Sequence, residues 1–341
     1  MKHLTYILLL LLLCGCHNTK TAESVTTETA VAVGPLFIAD SAYAYCQRQC
    51  DFGPRVMNST AHDECRDWIA AEFRRHGCDV TLQKAELKGY DGTLLKASNI
   101  IARYTPAAMR DSASSAGMKR MLLCAHYDTR PWADNDADEK NHRTPVMGAN
   151  DGASGIAVML EVARLLNAAD SAAVAVEFVC FDAEDYGTPQ WYDGDSQVDN
   201  PWALGAQHWA RQYAADGRTD IAYGILLDMV GGEGARFFKE GISLELARDL
   251  TDTVWKAADI AGYGTMFPTS AGGYVTDDHV PVNNDAHIPC TDIIPYYADC
   301  PQSSFGPTWH TVNDTMEHIS KQTLQAVGQT VIQMIYSRVV Q

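Results

Sequence analysis

Apolar positions along the chain change period repeatedly, and the changes mark out the elements. Behind Ser59, a favourable N-cap, Trp68, Ile69 and Phe73 recur at helical spacing, and Gly77 stops the pattern, which predicts a helix over residues 60–76. Residues 80–87 and 97–104 read as strands, and MLLCAHYD, 121–128, as a buried one. An amphipathic helix over 155–167 is followed by a second buried strand, VAVEFVCFD, over 174–182. After an irregular stretch rich in Gly, Asp, Pro and Trp (186–200), the pattern gives a helix near 203–215, a strand at 221–229 and a helix around 244–261. A strand at 291–296 and a final helix near 321–337 complete the chain. Strands alternating with helices predict an α/β fold, a mixed but mostly parallel central sheet with helices on both faces. Sites in such sheets form beyond the carboxyl ends of the strands.

The 341 residues carry 46% hydrophobic and 20% charged positions, which suits a globular domain and excludes wholesale disorder or many membrane spans. A net charge of −17 disfavours a nucleic-acid partner. The opening MKHLTYILLLLLLCGC joins a basic start to an apolar run too short to span a bilayer, and it resembles a bacterial lipoprotein signal with Cys16 as the lipidated residue. This predicts a signal over 1–16, a polar Thr-rich tether over 17–34, and one catalytic domain over 35–341. The product is an exported, periplasm-facing protein, probing the membrane only through its anchor and acting as a monomer. Cysteines 46, 50, 65, 78, 124, 180, 290 and 300 remain in the body; export permits disulfides whose connectivity stays open, while Cys124 and Cys180 lie in apolar runs that suit buried thiols.

Ionisable residues follow the apolar runs in five places: His126 and Asp128 in AHYDTRP, Asp151 in GANDGASG, Glu184 and Asp185 in FDAED, Asp228 in LLDMVGG, and His310 in TWHTVND. Singly, each is more simply a helix cap or a surface group. Together, carboxylates and imidazoles without cysteine suit a catalytic zinc with an open position. The adjacent Glu184 and Asp185 allow one carboxylate to hold metal while its neighbour handles protons.

In this order the five segments resemble the zinc-dependent aminopeptidase superfamily, and within it the chain is similar to the glutaminyl cyclases, which convert an amino-terminal glutamine to pyroglutamate. The resemblance implies Asp151, Asp185 and His310 as ligands of one zinc and Glu184 as the acid/base. It also implies Asp228 and Asp277 as partners in an acidic network, with the choice between Asp277 and Asp278 open. Trp191, Phe305 and Trp309 match the aromatic pocket. Where the family has Glu-Glu this chain has Glu184-Asp185, and Asp292 stands where the family has a network histidine. That second departure leaves several carboxylates close together, in need of a shared proton or a second cation. The implied substrates are peptides and proteins with amino-terminal glutamine. A two-zinc aminopeptidase remains the alternative, with His126 as an outer or second-metal ligand, and a non-catalytic peptide-capturing lipoprotein is a third possibility, for which Glu184 would be superfluous.

Overall fold

The unbroken apolar run of strand β3 (Arg120–His126) is stable only inside a sheet covered on both faces, and the architecture follows from this. The computed structural model describes residues 31–110 and 118–337; the predicted signal with Cys16, and the tether up to residue 30, lie outside them. Helices α1 (Ala39–Cys50) and α2 (Thr60–Arg75) precede strands β1 (Asp79–Lys88), β2 (Leu94–Tyr104) and β3. Then come α3 (Ala153–Ala169), β4 (Ala175–Phe181), α4 (Leu204–Ala215), β5 (Ile221–Leu227), α5 (Gly241–Leu246), α6 (Arg248–Ile260), α7 (His279–Asn284), β6 (Cys290–Ile293) and α8 (Lys321–Tyr336).

The strands lie in the order β1-β2-β4-β3-β5-β6. β1, β2 and β4 pair antiparallel, while β4, β3, β5 and β6 pair parallel, so the sheet is mixed. The parallel registers bring His126 opposite Phe181 and Leu227 opposite Ile293, which aligns four carboxyl ends on one edge. Alternating side chains of β3 feed two cores: Met121, Leu123 and Ala125 face the cluster built with α1, α2, α3 and α8, and Leu122 and Cys124 face α4 and α7.

Ser59 caps α2 as its sequence predicts, accepting the His62 amide. The single helix expected over 244–261 is two, divided at Ala247 (φ −142°, ψ 38°). Ser243 Oγ takes the Asp292 amide at 3.0 Å and ties α5 to β6, whereas α6 turns its buried Val254 and Trp255 to the main core. Helices α1 and α7 lay outside the predicted pattern. The end of the expected tether belongs to the domain surface, because Gln325, Gln329 and Gln333, one turn apart on α8, accept the amides of Ala39, Phe37 and Val33. The eight cysteines from Cys46 to Cys300 are free thiols, and Cys124 and Cys180 are fully buried as anticipated.

Close contact of α3 with the sheet places the first residues of that helix. A Cβ at Gly155 would come 2.3 Å from the Leu227 carbonyl and 2.7 Å from Ala125 Cβ. Helix propensity favours Ala over Gly by about 1 kcal/mol, but crowding a packed interior costs about 1–3 kcal/mol and here meets rigid backbone. Gly155→Ala is therefore expected to lower stability by about 1–2 kcal/mol in a urea titration; a gain in stability would show that α3 rides higher on the sheet.

Candidate active site

The polar side chains at the aligned carboxyl edge are placed by unusual backbone. Ala183, Ala203, Met229 and His310 all have left-handed φ between 48° and 53°. Such conformations are uncommon outside glycine and gather where a structure over-determines them. Each one adjoins or carries a site residue: Glu184, Trp202, Asp228 and His310. At Gly152 (φ 119°) a Cβ would approach the His126 carbonyl at 2.7 Å, so only glycine lets Asp151 sit this close to β3.

Buried carboxylates hold these loops by their amides. Asp128 accepts from Glu184 N (3.0 Å) and Asp185 N (3.1 Å), and Asp314 accepts from Asn150 N (2.7 Å) and Asp151 N (3.0 Å). Asp182 bonds His62 Nε2 at 2.7 Å, Tyr127 Oη at 2.7 Å and Ser98 N at 2.6 Å. All three lie in segments quoted from the sequence, AHYDTRP, FDAED and TWHTVND, but of these only Asp128 was singled out there.

Donor atoms converge in two sets. Asp151, Asp185 and His310 each present one atom within 4.8 Å of the others, and so do His126, Asp151 and Asp228. His310 Nε2 lies 3.1 Å from Asp185 Oδ1 and 3.7 Å from Asp151 Oδ2, and the Asp185 oxygen is buried without a hydrogen-bond partner. Three buried donors, imidazole and carboxylate, turned toward one point fit a zinc ion. Asp151 turns its other oxygen to His126 Nε2 at 3.0 Å, which also bonds Asp228 Oδ1 at 3.2 Å. His126 thus stands beside the first set and within the second.

A cleft of about 260 Å³ opens on the first set, lined by Glu184, Asp228, Asp277, Trp202, Phe305 and Trp309 along with the candidate ligands Asp151 and His310. Burial pushes the Glu184 carboxyl well above the usual range, and the charges of Asp185, Asp277 and Asp278 add to this against His126. Burial and Asp228 likewise raise Asp277 to about 7. Asp277 lines the cleft; Asp278 lies beneath it, fully buried, with neither oxygen hydrogen-bonded. Asp292 is raised well above its usual range by burial and by the charges of Asp277 and Asp228, which is the crowding expected from the sequence.

The aromatic wall differs from expectation at one position. Trp309 stacks on His310 at 3.8 Å between ring centroids and 21° between planes, and Phe305 leans on Trp309 at 4.8 Å. Trp191 does not line the cleft: it packs on Trp132 and His142 with the Arg143 guanidinium over its ring. Trp202 takes the place, its ring 7° from parallel to His310. The reason is Gly187, where even a Cβ would lie 2.0 Å from the Trp202 indole, so the chain turning away after Asp185 leaves room for that ring and carries Trp191 outward. No motif marks Trp202; the glycine is its faint signal.

The model of peptidase family M28 matches residues 99–335, and the chain belongs to that family of zinc-dependent enzymes. Glutaminyl cyclase from Bacteroides thetaiotaomicron, solved bound to N-acetylhistamine, is 50% identical over 90% of this chain and 100% of that one, with a TM-score of 0.83. A leucine aminopeptidase precursor from the same organism is also 50% identical over 90% and 100%, with a TM-score of 0.82. Glutaminyl-peptide cyclotransferase from Bos taurus is 26% identical over 266 residues, 67% of this chain and 62% of that protein. The chain spans about half the length of the curated relatives it matches.

Glu240 secures the segment that carries Asp277. Its carboxylate accepts the amides of Ile242 (2.7 Å), Ser243 (2.6 Å) and Val275 (2.9 Å), with His279 Nε2 at 3.2 Å. Burial alone would raise this carboxyl, but His279 and the amides outweigh it and lower it from 4.5 to about 2. A carboxyl held low in the folded state stabilises above its unfolded pKa, and that contribution drains as pH falls from 4.5 toward 2. Glu240→Gln should therefore be less stable than the parent by up to about 3 kcal/mol at pH 7, with the gap closing in acid. A gap that is constant with pH in denaturant titrations would refute the assignment.

Proposed function

We propose that this M28 chain is a glutaminyl cyclase, converting the amino-terminal glutamine of peptides and proteins to pyroglutamate with release of ammonia. The observation that carries the reading is the cleft: about 260 Å³, walled by Trp202, Phe305 and Trp309 beside the metal-binding set. That is below the range of sites for drug-sized ligands and suits one residue folded on itself, not an extended peptide. Aromatic walls on several sides hold the glutamine with its α-amine near its own side-chain amide, so proximity supplies much of the rate.

Glu184, with its raised carboxyl, takes a proton from the attacking amine and returns it to the departing nitrogen. The amine nitrogen bonds to the δ-carbon, the bond from that carbon to the amide nitrogen breaks, and ammonia leaves. Asp277 faces the same space and engages the amide nitrogen, while Asp228, bonded to His126, backs the acids. Zinc held by Asp151, Asp185 and His310 would polarise the side-chain carbonyl.

A second reading, an aminopeptidase with two zinc ions, draws on the second donor set, in which Asp151 and Asp228 surround His126. It would use Glu184 to activate water. We also propose that the enzyme is an exported lipoprotein anchored at Cys16, from the pattern of its first sixteen residues; Cys16→Ser should abolish incorporation of labelled fatty acid, and retained label would refute the anchor.

Leader-free protein incubated with a glutaminyl dipeptide amide is expected to yield a product lacking ammonia with its peptide bond intact. Chelator should abolish this, and Glu184→Gln should lower kcat about 10²–10⁴-fold. Free glutamine among the products, detected by mass, would establish the aminopeptidase instead.

A further inference from the structure

One buried ion pair lies outside every role assigned so far, yet it touches both a candidate ligand's backbone and the ring of another. Arg130 and Asp134 are each at most 2% exposed. Arg130 Nε and Nη2 bond the two Asp134 oxygens at 2.9 and 2.6 Å, a bidentate arrangement. The remaining donors reach the carbonyls of Asp185 (3.1 Å), Gly187 (3.1 Å) and Thr188 (3.4 Å). Five donors on a planar fork are thereby spent on one carboxylate and on the turn that presents Asp185.

Asp134 acts on the other side. Its Oδ1 lies 3.5 Å from His310 Nδ1, on the edge of the ring opposite the Nε2 that faces Asp185 and Asp151. Its Oδ2 also takes the Gln190 amide at 3.0 Å, so the carboxylate cannot swing away freely. The guanidinium lies 4.7 Å from the Trp202 ring, whose plane is nearly parallel to His310. Pocket wall, imidazole and the Asp185 turn are thus stacked on one buried pair.

We propose that Asp134, clamped by Arg130, is a positioning residue for the metal site: it keeps the Nδ1 proton of His310 in place, so that Nε2 carries the free lone pair toward the ion, while Arg130 fixes the Asp185 turn. Imidazoles that bind metal commonly donate their other nitrogen to a carboxylate, and losing that partner typically costs 10–100-fold in metal affinity. The pair serves ligand geometry, so the inference rests on the zinc assignment and is the same for cyclase or peptidase.

The test is zinc affinity by chelator competition on the leader-free protein, with thermal unfolding of the zinc-stripped form measured alongside. Asp134→Ala is expected to bind zinc about 10–100-fold more weakly than the parent. Asp134→Asn, which keeps the shape and one acceptor oxygen, should lose less but still measurably, and it carries the test if the alanine variant does not fold. A variant whose stripped form unfolds at lower temperature while its zinc affinity stays within about twofold of the parent would overturn the proposal, because that is the signature of a purely structural role. A parent protein that binds no zinc would instead remove the metal assignment, and this inference with it.

Discussion

The crowding of carboxylates at one edge of the sheet governs this molecule. An ionised carboxylate out of water is costly unless it is paired, hydrogen-bonded or protonated, and each of these acids meets one of those conditions in its own way. Asp128, Asp182 and Asp314 receive backbone amides or the Tyr127 hydroxyl and serve as clamps. Asp134 has Arg130, and Glu240 has His279 and three amides. Asp278 and Asp292 have no hydrogen-bond partner, and burial pushes both carboxyls well above the usual range. Asp185 keeps an oxygen free of any donor and turns it to the convergence point, the arrangement a cation satisfies.

This division has a chemical consequence. Acids tied to backbone amides hold loops still, whereas burial raises the carboxyls of Glu184, Asp228 and Asp277 at the cleft, Asp277 to about 7, where a group can give or take a proton. The left-handed turn at Ala183 is held by Asp182, which accepts the Ala183 amide at 2.9 Å, and by Asp128, which accepts the next two amides, and it presents Glu184 to the cleft. Stability and reactivity are therefore drawn from the same residue type, separated by which neighbours donate to it. The aromatic rings over His310 add a water-excluding wall on the side of the first donor set.

Much of this was legible along the chain because its signals are local. The buried strands are continuous apolar runs, α2 begins at a capping serine, and the candidate ligands directly follow strands whose direction the β-α alternation implies. Helix α7 escaped notice because six residues with Pro281 among them show no full apolar repeat. Trp202 stands in the wall where Trp191 was expected, through the room Gly187 leaves, an effect of space and not of spacing. Asp134 reaches His310 from far along the chain, and although Arg130 belongs to AHYDTRP, the sequence does not show that the two form a buried pair.

The amino-acid sequence by itself determined the α/β alternation, the order of the acidic and histidine segments, and hence the family's chemistry, since hydrophobic period and residue type are properties of short stretches. Only the tertiary structure decided which carboxylates converge on one point, which hold loops by their amides and which have no donor, which tryptophan lines the cleft, and that Asp277 faces it where Asp278 does not. Those outcomes depend on burial and on donors brought from distant strands, and a carboxyl group's charge is set by its surroundings in space, not by its neighbours along the chain.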